Sequence, residues 1–233
     1  MVFFSNPDQY NNFISYIYTQ YKTPLVMRKS LALLLLAAAL FAVSCGSKEP
    51  VKFDGAGDIG DCHIPGSHSY DAATDTYTLT ASGYNLWFET DAFYFVWKKV
   101  KGDFEITGEV AFKGEGVNPH RKIGFLIRES LDPQSRYADA AIHGEGLTSL
   151  QYRPETAGET LESVSDSWGP TVVSLIRRGN TISIRTGKGS LPETDDTSVD
   201  IALPEECYVG MFMCSHEEDI AETGYLKNVR LIQ

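Results

Sequence analysis

Cysteine is scarce in this 233-residue chain, and none of its four copies stands in a CxxC pair or at the spacing of a Cys/His zinc site. The five histidines, at 63, 68, 120, 143 and 216, are scattered along the sequence, which therefore offers no transition-metal site. Positive charge is also in short supply. Twenty Lys and Arg face 31 Asp and Glu, a net charge of -11, and such a body is repelled by phosphate backbones and by anionic lipid surfaces. Nucleic acid and peripheral lipid binding are thereby disfavoured. The longest continuous apolar run, Leu31 to Val43, has thirteen residues, where a membrane-spanning helix needs about 20. No GxSxG elbow, P-loop or HExxH occurs, and no Ser/His/Asp constellation is defensible from spacing.

That short apolar run is informative for what flanks it. Met27-Arg28-Lys29-Ser30 precedes it and Ser44-Cys45-Gly46-Ser47 follows, the order of a cationic n-region, a short hydrophobic stretch and small residues before a cleavage point. Ala42-Val43-Ser44-Cys45 resembles the bacterial lipobox, which implies cleavage before Cys45 and acylation of its thiol. The aromatic-rich leader with Phe3, Phe4, Tyr10, Phe13, Tyr16, Tyr18 and Tyr21 is foreign to a signal peptide, so translation is expected to start at Met27. The expected organisation is an upstream leader (1–26), a lipoprotein signal peptide (27–44), a lipidated tether (45–52) and one domain (53–233). The chain from Cys45 onward has 189 residues, with 17 Lys and Arg against 30 Asp and Glu. Its expected hold on the membrane is therefore by acyl chains alone. Gly46, where many inner-membrane lipoproteins carry aspartate, favours the outer membrane of the cell envelope by analogy.

About 180 residues are enough to bury a core without metal or disulfide staples. With Cys45 committed to lipid, Cys62, Cys207 and Cys214 remain. Cys207 and Cys214, seven apart on one expected strand, face opposite sides and do not pair; a bridge from Cys62 to either stays open, with buried free thiols the favoured state. Turn residues recur every eight to twelve positions, an all-β rhythm. Asp103 to Lys113 sets Phe104, Ile106, Gly108, Val110 and Phe112 on one face against Glu105, Thr107, Glu109 and Ala111 on the other, a half-buried antiparallel strand. Further strands are expected near 76–81, 84–88, 92–99, 122–128, 137–143, 147–153, 171–177, 180–186, 198–202, 207–214 and 223–232. Gly179-Asn180 between two of them is a two-residue hairpin signal. So many short strands with no amphipathic helix imply an all-β fold, two stacked antiparallel sheets with jelly-roll connections.

Two literal motif matches fail on context. Gly55-Ala56-Gly57-Asp58-Ile59-Gly60 fits GxGxxG, but no strand precedes it and no helix follows, so it reads as a turn. Glu217 to Glu222 fits ExDxxE, which resembles the acid/base and nucleophile pattern of retaining glucanases. Glu217 and Asp219 share a face of a regular strand while Glu222 points away unless a bulge intervenes, and the segment reads as a solvated acidic loop.

Several segments, in order, resemble the concanavalin A-like lectin/glucanase type of domain: Asp58-Ile59-Gly60, Thr76 to Leu79, Leu86-Trp87 before Asp91 to Trp97, Gly102 to Ile106, Gly124 to Ser130 with Ser135-Arg136, Gly146-Leu147 leading to Gln151-Tyr152-Arg153, Tyr208 to Met211 with Ser215-His216, and Asn228 to Leu231. Within that superfamily the chain is similar to the uncharacterised family of regulation-of-enolase-like proteins. The resemblance implies a sandwich and, as in many relatives, a face or loop rim that contacts carbohydrate.

Sugar rings offer C–H faces to aromatics and hydroxyls to charged or amide groups. The candidate ligand-binding residues are therefore Trp87 and Tyr94 as platforms, and Arg128, Gln151 and Arg153 as hydrogen-bonding groups, with Gln151 and Arg153 on one face. Trp97 is a further aromatic, but it shares a face with Phe93 and Phe95 and is expected in the core, leaving Tyr94 exposed on the other. Arg128, if it shares a face with Leu126, points away from the inter-sheet core; a structural ion pair is its alternative use. No cofactor is required, and a structural calcium at Asp54, Asp58 and Asp61 is the single one the sequence entertains. The expected function is capture of a glycan or oligosaccharide by an envelope-anchored, non-catalytic protein. Rival readings are a glycoside hydrolase or keto-sugar-processing enzyme on the same fold, and a protein-interaction module of an envelope assembly. Replacing Cys45 by serine should shift the protein from the membrane fraction to the soluble one; unchanged fractionation contradicts lipid anchoring.

Overall fold

The computed structural model describes residues 49–233. The leader, the signal segment and Cys45 lie outside the described residues. Fourteen strands follow in order: β1 (Gly55–Ile59), β2 (Ser67–Asp71), β3 (Thr76–Gly83), β4 (Phe93–Lys101), β5 (Phe104–Phe112), β6 (Lys122–Arg128), β7 (Tyr137–His143), β8 (Thr148–Arg153), β9 (Leu161–Val164), β10 (Val172–Arg178), β11 (Thr181–Gly187), β12 (Thr197–Asp200), β13 (Glu206–Cys214) and β14 (Glu217–Ile232). They form two seven-stranded antiparallel sheets. The first runs β1-β4-β13-β6-β7-β8-β9 and the second β12-β11-β10-β5-β14-β3-β2. The fold is thus the expected two-sheet, concanavalin A-like jelly roll.

Alternation along each strand builds the core between the sheets. Val96, Phe125, Ile127, Ala140, Leu150 and Met211 from the first sheet meet Leu79, Ile106, Val110, Leu175, Ile184 and Leu226 from the second. Gly179 and Asn180 turn β10 into β11, with Gly179 at φ 61°. The three cysteines among the described residues are free; Cys207 lies in this core and Cys214 on the opposite face of β13.

The outer face of the first sheet is also apolar, and it carries a second cluster of Ile59, Leu86, Phe93, Phe95, Leu126, Tyr137, Ala141, Phe212 and Cys214. This corrects the expected facing of β4. Phe93, Phe95 and Trp97 pack on the outer face, while Tyr94 and Val96 enter the inter-sheet core. Tyr94 is only 5% exposed, and its hydroxyl meets His68 Nδ1 at 2.9 Å. It is a packing residue and presents no platform to solvent.

A strap, residues 84–91, covers that outer cluster. The sequence reads 84–88 as a strand, but Gly83 at φ 110° lifts the chain off the sheet, and a Cβ there would lie 2.3 Å from the Ala92 carbonyl oxygen. The strap is held by polar contacts along its length. Leu86 O accepts from Lys122 Nζ and Tyr137 Oη, Phe88 O accepts from Arg153 Nη2 and Thr160 Oγ1, and Ala92 N–H donates to Asn85 O. At its end Asp91, fully buried, receives Arg153 Nη1 at 3.0 Å and Nη2 at 2.7 Å, with Arg128 Nη2 at 3.4 Å on the other side.

Two further readings change. The GxGxxG segment is the edge strand β1, whose Gly55 and Gly57 make room for the Trp97 indole; a Cβ on Gly55 would lie 2.8 Å from that ring. The acidic ExDxxE segment is the start of β14. The register of β14 against β3 shifts between Glu217 and Glu222, and the irregularity turns Glu222 inward to a buried ion pair with Arg121, while Glu218 and Asp219 stay exposed.

Asp91→Ala leaves two buried guanidiniums without a counter-charge and should lower the unfolding free energy by about 3–5 kcal/mol. Urea denaturation reads this directly, and a loss below about 1 kcal/mol would show that the strap does not depend on the triad.

Candidate functional site

Strap, β6, β7 and β8 together enclose a pocket of about 270 Å³ on the outer face of the first sheet, lined by Asn85, Trp87, His120, Lys122, His143, Leu147, Gln151, Glu162 and His216. Its floor follows from register. Gly124, Ala141 and Ser149 lie side by side on β6, β7 and β8, and these small residues leave space for the Lys122 side chain to lie across the sheet. Its ammonium, buried, donates to Asn85 Oδ1 at 2.8 Å, to Gln151 Oε1 at 2.9 Å and to the Leu86 carbonyl at 3.1 Å. All three protons are used. Lys122 thus joins the strap to the sheet, 5.4 Å from the centre of the Trp87 ring. Gln151 passes the contact outward, its Nε2 donating to Glu162 Oε1 at 3.0 Å.

Asp139 stands in register beside Gln151, on the same face and fully buried. Neither of its carboxylate oxygens, nor the buried Ser149 hydroxyl, makes a hydrogen bond of full geometry, which is unusual for groups so far from water. Burial pushes the Asp139 carboxyl well above the usual carboxylate range, against the pull of the Lys122 charge. Burial likewise draws Lys122 below its ordinary value, opposed by Cys214 and Asp139.

Three imidazoles form the opposite wall. His143 Nδ1 sits 3.0 Å from the Leu147 carbonyl, so that nitrogen carries the proton and Nε2 is left as an acceptor. Burial, and then the Lys122 charge, pull His143 down to about 4. His216 is lowered for the same two reasons, with His120 adding to them. The ring of His120 lies 6.3 Å from that of His143 and 5.7 Å from that of His216, and its Nδ1 is 3.4 Å from Glu145. At neutral pH the pocket therefore offers the neutral imidazoles of His143 and His216, amides, one rim carboxylate and an indole face. That inventory suits a ligand rich in hydroxyl groups.

Of the residues singled out from sequence, the fold brings Trp87 and Gln151 into this pocket. Arg128 and Arg153 do face away from the inter-sheet core, but both are fully buried beneath the strap on Asp91. Their contacts are structural: Arg128 also binds Ser130 O, its Nη1 being left without a partner, and Arg153 binds Gly158 O and Ser135 O. Glu129 pairs with Arg136 instead. Tyr94 is on the wrong face. Among the three aspartates considered for calcium, Asp54 accepts from Lys99 N–H near Lys98, and Asp58 accepts from Gly66 N–H. Among the described residues no group of three or more His, Cys, Asp or Glu is placed to hold a metal.

Sequence reasoning missed Lys122, Asn85, Glu162 and the three histidines. Period-two alternation does put Lys122 on the face of Leu126 and Arg128, which was the one available signal; the histidines come together only through loops and register.

No protein-family model matches the chain, and no curated protein does so. Solved structures share its fold. A functionally unknown protein from Saccharomyces cerevisiae superposes with a TM-score of 0.56 at 15% identity, covering 71% of this chain and 91% of that one. A GH43 protein from Bacillus licheniformis gives 0.51 at 10% identity, covering 79% of this chain and 40% of its own. An alginate lyase of polysaccharide lyase family 7 gives 0.47 at 11% identity, covering 71% and 81%. At such identities the first two likenesses are ones of fold, and the third carries no argument.

The depressed His143 value has a consequence for stability. Because the folded-state value lies below the ordinary one, the unfolded chain takes up the proton first; this contribution is complete above pH of about 6.5 and is lost as pH falls toward 4. Asp139 acts in the opposite sense, so the difference between variant and wild type isolates the histidine. His143→Gln should flatten the fall in unfolding free energy across that window by about 3 kcal/mol; parallel curves would contradict a buried neutral imidazole.

Proposed function

We propose that the protein is an envelope lipoprotein whose sandwich binds a glycan, without transforming it, in the pocket between strap and sheet. The observation that carries this reading is the placing of the Trp87 face beside the Lys122–Asn85–Gln151 cluster: an apolar wall for the C–H face of a sugar against a fixed set of polar groups for its hydroxyls. The GH43 protein that shares the fold is compatible with a carbohydrate ligand. The pocket supports binding over hydrolysis because its lining contains one carboxylate, Glu162, where acid and base catalysis of glycosidic cleavage uses two facing each other. Anchoring by Cys45, and an outer-membrane address, complete the proposal and rest on the signal segment alone.

In this reading Trp87 and Gln151 are ligand residues. Asn85, Glu162, His143 and His216 join them, and the buried Arg128 and Arg153 serve by holding the strap. Screening the protein on a polysaccharide array, with reducing-sugar release followed in parallel, should give retention on a glycan without release. Trp87→Ala, a half-buried side chain, should weaken retention about tenfold or more, with thermal unfolding shifted by only a few degrees. Release of reducing ends, or retention indifferent to Trp87, would contradict the reading.

A further inference from the structure

Beyond the pocket, the strap displays two large aromatic rings to solvent. Tyr84 is 47% exposed and Phe88 52% exposed, although burying such rings is worth about 1.5–3 kcal/mol each. Neither is there for want of order. The Phe88 carbonyl is fixed by Arg153 and Thr160, and Tyr84 follows Gly83 directly at the lift-off from β3. Their planes are 11° apart with centroids separated by 6.4 Å. Rings at that separation are not in close face-to-face contact, and about half of each side chain is open to solvent.

The row continues inward. His216 lies 5.5 Å from Tyr84 at 22°, His120 is 5.7 Å from His216, and His143 is 6.3 Å from His120. The last three line the pocket. His216 is held at φ 62°, uncommon for a residue with a side chain. Ser215 Oγ ties the turn by accepting from Glu217 N–H and donating to Glu217 O, and Asn118 Nδ2 donates to His216 O. A ligand touching His216 in the pocket is therefore one ring step from Tyr84 and two from Phe88.

Charge along this row has one sign. Glu89 follows Phe88, Glu217 follows His216, Glu145 flanks His120 and Glu162 stands at the pocket rim. The cations beside it, Lys122 and Arg153, are buried with their donors committed, and Lys122 alone of the lysines and arginines lines the pocket. A chain of uronate or sulfate groups laid over these rings would meet carboxylates without a counter-charge.

Resting on the glycan-binding reading above, we propose that the ligand is an extended, uncharged glycan chain. One sugar occupies the pocket, and its neighbours stack on Tyr84 and then Phe88. Each exposed ring adds a sugar subsite, so affinity grows with chain length, and it does so through C–H to π contact rather than charge.

The test titrates the full chain with neutral β-1,4-linked gluco-, xylo- and manno-oligosaccharides from monomer to hexamer, and with alginate oligomers of the same lengths. For the neutral series that binds, affinity should rise about tenfold or more between monomer and hexamer. Phe88→Ala should lower hexamer affinity about three- to tenfold while changing monomer affinity by less than about twofold. Adding Tyr84→Ala should remove the remaining length dependence, and raising salt should leave the neutral series unchanged. Both side chains are exposed, so thermal unfolding of the variants serves as the control for folding. Length-independent binding that Trp87→Ala abolishes would overturn the extended site and leave the pocket reading standing. Tighter binding of the alginate oligomers would overturn the uncharged ligand. Absence of binding to every series would overturn both.

Discussion

One buried carboxylate organises the functional face of this protein. Asp91 lies between the guanidiniums of Arg128 on β6 and Arg153 on β8, all three fully removed from solvent. Opposite charges so placed are not in themselves a strong source of stability, because the desolvation of each ion offsets most of their attraction. What they provide is position. The path of the chain between β3 and β4 that brings the carboxylate to both arginines also lays Leu86 on the outer apolar cluster and turns Trp87 toward Lys122. The same guanidiniums also bind backbone carbonyls of the strap and of the loop after β6. Removing the acid would therefore free the strap and the loop together.

The second buried charge, Lys122, depends on the first. Its partners Asn85 and the Leu86 carbonyl are on the strap, and Gln151 is on the sheet, so the ammonium is satisfied only while the strap is in place. Its field in turn helps to hold His143 and His216 in their neutral forms. A pocket that combines uncharged imidazoles, amides and an indole face is then a product of packing, and its chemistry is hydrogen bonding without a strong net charge. The neighbouring Asp139, pushed toward its protonated form by burial, adds to the same neutral character. In the proposed reading, that character serves the binding of hydroxyl-bearing rings rather than bond cleavage.

The fold was largely legible because most of its strands alternate. The limits of β6 and β7 match the expected 122–128 and 137–143, and the Gly179-Asn180 hairpin stands as read. Failures have local causes. β2, Ser-His-Ser-Tyr-Asp, is an exposed edge strand with no apolar face to betray it, and β9 is short and largely exposed. Leu86-Trp87-Phe88 has strand-like composition, yet it serves a strap that buries one side chain, half-buries the next and exposes the third. At the site, Trp87 and Gln151 were legible as chemistry. Arg128 and Arg153 were legible as outward-facing, but the strap that would bury them was not, since its destination is decided by the ion triad. Tyr94 and Phe93 exchanged expected roles because both faces of β4 are apolar and alternation cannot rank them. The histidine wall gathers residues from three loops and strand ends, which no local pattern announces.

The central claim is that the strap holds Trp87 as the wall of a sugar site. The chain contains three tryptophans, at 87, 97 and 168, and their indole N–H signals are separable by nuclear magnetic resonance. On titration with a glycan that the protein retains, the Trp87 signal should move in a saturable manner while that of Trp97, packed against the outer cluster and absent from the pocket lining, stays in place. A glycan that binds and leaves the Trp87 signal unmoved would contradict the account.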